Sequence, residues 1–195
     1  MQLYSTTDII KTLQKQEITL FTLSDFAKLF DLENQQTLYK KIARLEKTQL
    51  IEKLVNGKYR FLLRPGNDFQ TANFLYFPSY ISLDSALSFH SIATGFPYQL
   101  TSVTIKPTKS ILVKNQEFKY SHFSPDLFWG YEKKENFLIA EPEKAILDYI
   151  YLGTKGLRQL SFDEMDLSAL DKAKLVLYSQ KFHNHQVTEI LERLL

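Results

Sequence analysis

The spacing of apolar positions divides the first 63 residues into helical and strand stretches. Ile9, Ile10 and Leu13 follow the cap candidates Ser5, Thr6, Thr7 and Asp8, which predicts a short first helix ending between Gln14 and Gln16. The β-branched run Ile18–Phe21 reads as a short strand. Thr22 and Asp25 have the spacing of a capping box, and Phe26, Leu29 and Phe30 follow at helical steps, so a second helix should stop between Phe30 and Leu32. Leu38, Ile42 and Leu45 give a third helix one buried stripe. Near Leu50 the period falls from 3.6 to 2: Ile51, Lys53 and Val55 alternate with Glu52 and Leu54, and Tyr59, Phe61 and Leu63 alternate with Arg60 and Leu62. Asn56-Gly57 between the two runs predicts a two-residue hairpin turn with both central residues at positive φ.

This order of helix, strand, helix, helix and hairpin is that of a winged helix-turn-helix, with the third helix in the reading position. If its apolar stripe faces inward, Gln36, Lys40, Arg44 and Lys47 fall on the opposite side. Thr37 and Tyr39 flank that face, and Gln35 and Lys41 lie nearer the stripe. Lys58 and Arg60 stand at and just after the hairpin turn, and Thr22 at the start of the second helix completes the candidate DNA-contacting set. Gln suits adenine edges and Arg or Lys suits guanine edges, while Lys, Thr and Tyr can hold phosphates.

Past residue 66 the pattern is mixed, and Arg64-Pro65-Gly66-Asn67-Asp68 is a turn-rich break. The organisation read from it is a winged helix-turn-helix over residues 1–66 and a mixed α+β domain over 67–195. In the second domain Ser82 or Asp84 should cap a helix through Ala93, stopped by Gly95-Phe96-Pro97. Tyr98–Ile105 reads as a strand, and hairpins are expected around Asn115-Gln116 and Lys133–Asn136. Pro142, with Glu141 and Glu143, opens a helix that Gly153 ends, and helices over 168–182 and 186–194 finish the chain. The aromatic stretch Phe69–Tyr80 and Phe128-Trp129-Gly130-Tyr131 read as sheet core rather than as an RNA-stacking surface.

Charge sharpens this division. The net charge is +2, but residues 1–66 carry 11 Lys/Arg against 7 Asp/Glu, and the remainder is net negative. Eight basic residues lie between Lys40 and Arg64 against only Glu46 and Glu52, an imbalance that a solvated helix and hairpin do not require and that duplex DNA explains. Cysteine is absent, which removes disulfides and thiolate metal sites. No apolar run is long enough to span a bilayer and the N-terminus lacks a secretion pattern, so a cytoplasmic protein without membrane contact is expected.

Candidate chemistry adds little. Lys144 and Asp148 read as a surface i,i+4 pair, Glu141 and Glu143 as helix-start acids, and His183 and His185 as surface residues of a turn. No P-loop, GxGxxG or nucleotidyltransferase pattern occurs, so neither an enzyme, a cofactor nor a metal is expected.

Four blocks carry a resemblance: YFPSYISLDSALSFH (Tyr76–His90), TSVT (Thr101–Thr104), FSPDLFWGYE (Phe123–Glu132) and IAEPEKAILDYIYLG (Ile139–Gly153). In order and spacing they resemble AbiEi-type antitoxins of abortive-infection, type IV toxin–antitoxin systems. The resemblance implies a phage-defence antitoxin that represses its own operon through promoter inverted repeats. It also implies that the C-terminal domain opposes a co-encoded nucleotidyltransferase-like toxin without a stable complex, as a monomer or weak dimer, with or without cooperativity on DNA. Two other readings stay open: a winged-helix repressor whose second domain senses a small ligand, and a nuclease or nucleotide-processing enzyme targeted by its winged helix.

Overall fold

A computed structural model describes residues 4–95 and 98–195, and its helix boundaries follow capping chemistry. The chain is mixed α+β and divides into two units, Met1–Asn67 and Asp68–Leu195.

In the first unit, α1 (Thr6–Lys15) starts at Ser5, whose hydroxyl accepts from the Asp8 N–H at 3.2 Å while the Asp8 carboxylate accepts from the Ser5 N–H at 3.0 Å. Strand β1 (Leu20–Thr22) leads into α2 (Leu23–Leu29), where Thr22 and Asp25 repeat the same reciprocal cap. Asn34 caps α3 (Gln35–Lys47) by accepting from the Thr37 N–H at 3.0 Å. Strands β2 (Ile51–Val55) and β3 (Lys58–Phe61) then form an antiparallel sheet in the order β1-β3-β2. The core joins Ile9 and Leu13 of α1, Phe26 of α2, the α3 stripe Leu38, Ile42 and Leu45, and Phe61 of β3.

All three helices end on a polar residue in the left-handed region: Glu17, Asp31 and Gln49. The next residue (Ile18, Leu32 or Leu50) donates its N–H back to Leu13, Ala27 or Leu45 and packs into or against the core. That closure uses Ile18, so the first strand begins at Leu20, two residues later than the β-branched run predicts. The hairpin also departs from expectation. Only Gly57 of the turn pair has positive φ (75°), and the register shifts between Lys53 and Val55. The extra residue, Leu54, is buried, as a bulge permits and strict alternation does not.

The second unit is a six-stranded mixed sheet in the order β6-β7-β5-β4-β9-β8. Its elements are α4 (Asp68–Leu75), β4 (Ser79–Ile81), α5 (Leu83–Phe89), β5 (Gln99–Thr104), β6 (Lys109–Val113), β7 (Gln116–His122), β8 (Tyr131–Lys134), β9 (Phe137–Ala140), α6 (Pro142–Thr154), α7 (Lys172–Gln180) and α8 (His185–Leu194). Two antiparallel hairpins, β6-β7 and β8-β9, flank the β5-β4 pair and join it by parallel contacts.

Several expectations are corrected. Most of the Phe69–Tyr80 stretch is helix, and only Ser79 and Tyr80 enter the sheet. The helix buries Gln70 and Thr71 beside Ala72 and Leu75, so no apolar period announces it. Helix α5 stops at Phe89 because Ser91 turns left-handed and the Ile92 N–H returns to the Leu87 carbonyl. Phe96 and Pro97, expected to stop that helix, lie outside the described residues. Helix α7 begins at Lys172, capped by Asp171. No helix among the described residues is long and apolar enough to cross a membrane.

The largest correction concerns Lys144 and Asp148, which are completely buried rather than on the surface. Lys144 Nζ is ion-paired with Asp148 Oδ1 and donates to the Tyr80 hydroxyl at 3.0 Å. Asp148 Oδ2 accepts from Tyr80 Oη at 3.0 Å and from Ser82 Oγ at 2.7 Å. The rings of Trp129, Phe182, Phe123 and Tyr80 stand 4.9–5.5 Å from the ammonium. Gly130 is required beside it, because a Cβ there would come within 2.9 Å of Lys144 Cγ. Burial pushes the Asp148 carboxyl up and the Lys144 ammonium down, and each partner opposes the shift of the other.

Glu141 and Glu143 do more than face the helix dipole. Both pair with Lys174 of α7, at 3.3 and 2.9 Å, and Glu141 accepts from Tyr178 Oη at 2.7 Å. Burial alone would raise the Glu143 carboxyl, but hydrogen bonds from Lys174 and from backbone N–H groups hold it below its ordinary value.

Lys144→Met should cost about 3–5 kcal/mol, since it strands a buried carboxylate. Combined with Asp148→Leu it should cost less than either single change, read from urea unfolding at neutral pH. A double variant whose loss equals the sum of the two would refute the coupling.

Candidate nucleic-acid interface

Burial of Leu38, Ile42 and Leu45 fixes the rotation of α3, and the helical step then decides which side chains face water. Gln35, Gln36, Tyr39, Lys40, Arg44 and Lys47 are all exposed, Tyr39 to 55%. Gln36, Lys40, Arg44 and Lys47 form one row along the helix. Among the described residues no carboxylate pairs with Lys40, Arg44 or Lys47. Arg44 and Lys47 also sit in the last turn, where the helix dipole favours cations by about 0.3–1 kcal/mol.

The other candidates are engaged locally. Lys41 is half-buried and donates from Nζ to the Tyr4 carbonyl at 2.8 Å, so it ties α3 to the segment before α1. Thr37 is half-buried in the first turn. The Thr22 hydroxyl accepts from the Asp25 N–H and donates to its carboxylate at 2.7 Å, which commits it to the start of α2. Lys58 lies opposite Thr22 in the β1-β3 register and is half-buried. Arg60 lies opposite Glu52 across the hairpin with Nη1 3.9 Å from Oε2, and only 18% of its side chain is exposed. Its charge is therefore largely answered within the sheet. The structure thus gathers the α3 row on one exposed face and leaves Lys41, Thr22 and Arg60 with intramolecular duties.

Two exposed residues were missed by sequence reasoning. Ala43 lies on the outward face of α3 between Lys40 and Lys47, where its short side chain leaves the helix backbone approachable. Its position on the helical wheel was a usable signal, but its chemistry drew no attention. Lys53 of β2 is exposed as well, although the regular register from Ile51 to Lys53 groups it with buried Ile51.

No model of a known protein family matches this chain, and no curated protein matches it.

The Thr22 hydroxyl and N–H hold the Asp25 carboxyl below its ordinary value. A carboxyl that titrates lower when folded adds stability that is complete above its unfolded pKa and fades as pH falls through the folded one. Asp25→Ala should therefore cost about 0.5–1 kcal/mol at neutral pH and progressively less in acid, measured by chemical denaturation across that range. A cost that stays constant into acid would contradict the cap assignment.

Proposed function

We propose that the N-terminal unit is a winged helix-turn-helix that reads duplex DNA through α3, and that the protein represses its own operon at promoter inverted repeats. The exposed row Gln36, Lys40, Arg44 and Lys47, with no acid paired to its cations among the described residues, is the observation that carries this reading. Gln36 and Arg44 supply bidentate groups for base edges, and Lys40 and Lys47 supply phosphate contacts. Tyr39 flanks the row, and Lys58 beside the hairpin turn adds a backbone contact.

The same proposal makes the protein a cytoplasmic AbiEi-type antitoxin that acts by binding rather than by catalysis. Its C-terminal domain opposes a co-encoded nucleotidyltransferase-like toxin without forming a stable complex. Support comes from the four blocks of resemblance. Three of them supply the buried charge network: Tyr80 and Ser82 from the first, Phe123, Trp129 and Gly130 from the third, and Lys144 and Asp148 from the fourth. Those blocks thus have a physical task, which is to specify this core.

Fluorescence anisotropy against the chain's own upstream region and a scrambled duplex, at two salt concentrations, tests the DNA reading. Gln36→Ala or Arg44→Ala should lose about 1–3 kcal/mol of specific over non-specific binding. Lys40→Ala should weaken both duplexes alike and lower the salt slope by about 1. Arg60→Ala should change little, given its pairing with Glu52. Unchanged affinity in all of the α3 variants would remove this surface from the reading. Failure of the full chain to rescue cells expressing the neighbouring toxin gene would remove the antitoxin role.

A further inference from the structure

A cavity of about 640 Å³ opens on the second unit, on one face of the sheet. Gln99, Thr101, Lys119 and Ser121 line its floor, and the β5-β7 register sets Thr101 beside Lys119 and Gln99 beside Glu117, whose carboxylate accepts from Ser110 Oγ. Leu83 and Asp84 of α5, Leu152 of α6, and Leu157 and Arg158 of the following turn form its walls. Thr108, His122 and the almost wholly exposed Tyr98 complete the lining.

Its lining has the chemistry of an anion site with an apolar half. Asp84 is the one acid among the described lining residues, against Lys119 and Arg158, and it is already ion-paired with Arg158. Arg158 lies 4.6 Å over the Tyr149 ring, and its Nε–H is buried with no acceptor among the described residues, an arrangement that is costly unless a ligand or water answers it. The Lys119 ammonium has no carboxylate partner among the described residues. Thr108 and Ser121 add hydroxyl donors, while Leu83, Leu152 and Leu157 offer apolar surface to the rest of a ligand.

The rim is also strained and held. Leu83 has φ 59°, and it is the one apolar residue among the left-handed non-glycine residues described. Such a backbone is strained for an apolar side chain and persists only where neighbours over-determine it. Here they do: Ser82 is pinned by Asp148, its N–H donates to the Thr101 carbonyl at 3.1 Å, and its own carbonyl accepts from the Thr101 hydroxyl at 2.7 Å. Ser85 and Thr101 exchange two further hydrogen bonds, at 2.8 and 3.1 Å.

We propose that this cavity binds a small organic phosphate of mononucleotide size, with the phosphate held near Lys119 and Arg158 and a planar group against the leucines and Tyr98. A bare anion would leave the apolar half empty, and a neutral ligand would leave Lys119 and the Arg158 Nε–H unanswered. Isothermal titration of the full chain with AMP, GMP, CMP and UMP, beside adenosine and inorganic phosphate, tests it. At least one mononucleotide should bind about tenfold or more tightly than either adenosine or phosphate. Lys119→Ala and Leu157→Asp should each weaken that binding about tenfold, whereas Lys133→Ala, at the opposite edge of the sheet, should not. Unchanged thermal melting of these exposed-site variants separates loss of the site from loss of fold. No heat from any nucleotide at millimolar concentration would overturn the proposal. So would phosphate binding as tightly as the best nucleotide, or Lys119→Ala and Lys133→Ala weakening it alike.

Discussion

Two opposite charges with no access to water sit at the centre of the second unit, and the surrounding structure is arranged to tolerate them. Removing Lys144 and Asp148 from solvent costs several kcal/mol for each ion, which their attraction offsets only with good geometry and satisfied hydrogen bonds. Tyr80 and Ser82 complete the carboxylate, and four aromatic rings surround the ammonium. These contacts come from β4, the start of α5, the 123–130 segment, α6 and the turn after α7, so the pair fixes their mutual placement. An apolar pair could fill the same space, but it would not demand these particular partners.

That constraint extends beyond the core. Asp148 holds Ser82, and Ser82 and Thr101 hold the segment in which Leu83 takes its left-handed conformation at the cavity rim. The other acids of α6 work at its first turn, where Glu141 and Glu143 grip Lys174 and Tyr178 and so dock α7. One helix therefore organises both a surface cavity and the packing of the C-terminal helices, through side chains whose charges look like ordinary surface decoration.

The first unit solves a different problem. Its small core closes each helix with a left-handed polar residue, which turns the chain without a glycine and delivers an apolar residue to the interior at Ile18, Leu32 and Leu50. With Leu38, Ile42 and Leu45 anchored, α3 cannot rotate, and Lys40, Arg44 and Lys47 remain outward. The hairpin behaves otherwise: the cross-strand Glu52–Arg60 pair shows that a basic residue near a turn is not necessarily an available one.

Local rules by themselves determined the three N-terminal helices, the caps of the first two and the face of α3, because Ser5, Thr22 and the Leu38-Ile42-Leu45 stripe act within one turn or one helix. The outward row of the candidate interface was legible for the same reason. Tertiary structure alone decided what depends on distant partners. Asn56-Gly57 did not reveal the bulge at Leu54, and the buried polar residues of α4 hid that helix. The roles of Lys41 and Arg60 turned on Tyr4 and Glu52, which helical and strand periodicity do not pair with them. The spacing of Lys144 and Asp148 is the same for a surface pair and a buried one. Only the closure of Tyr80, Ser82, Trp129 and Phe182 around them, from up to 64 residues before Lys144 to the turn after α7, selects the buried arrangement.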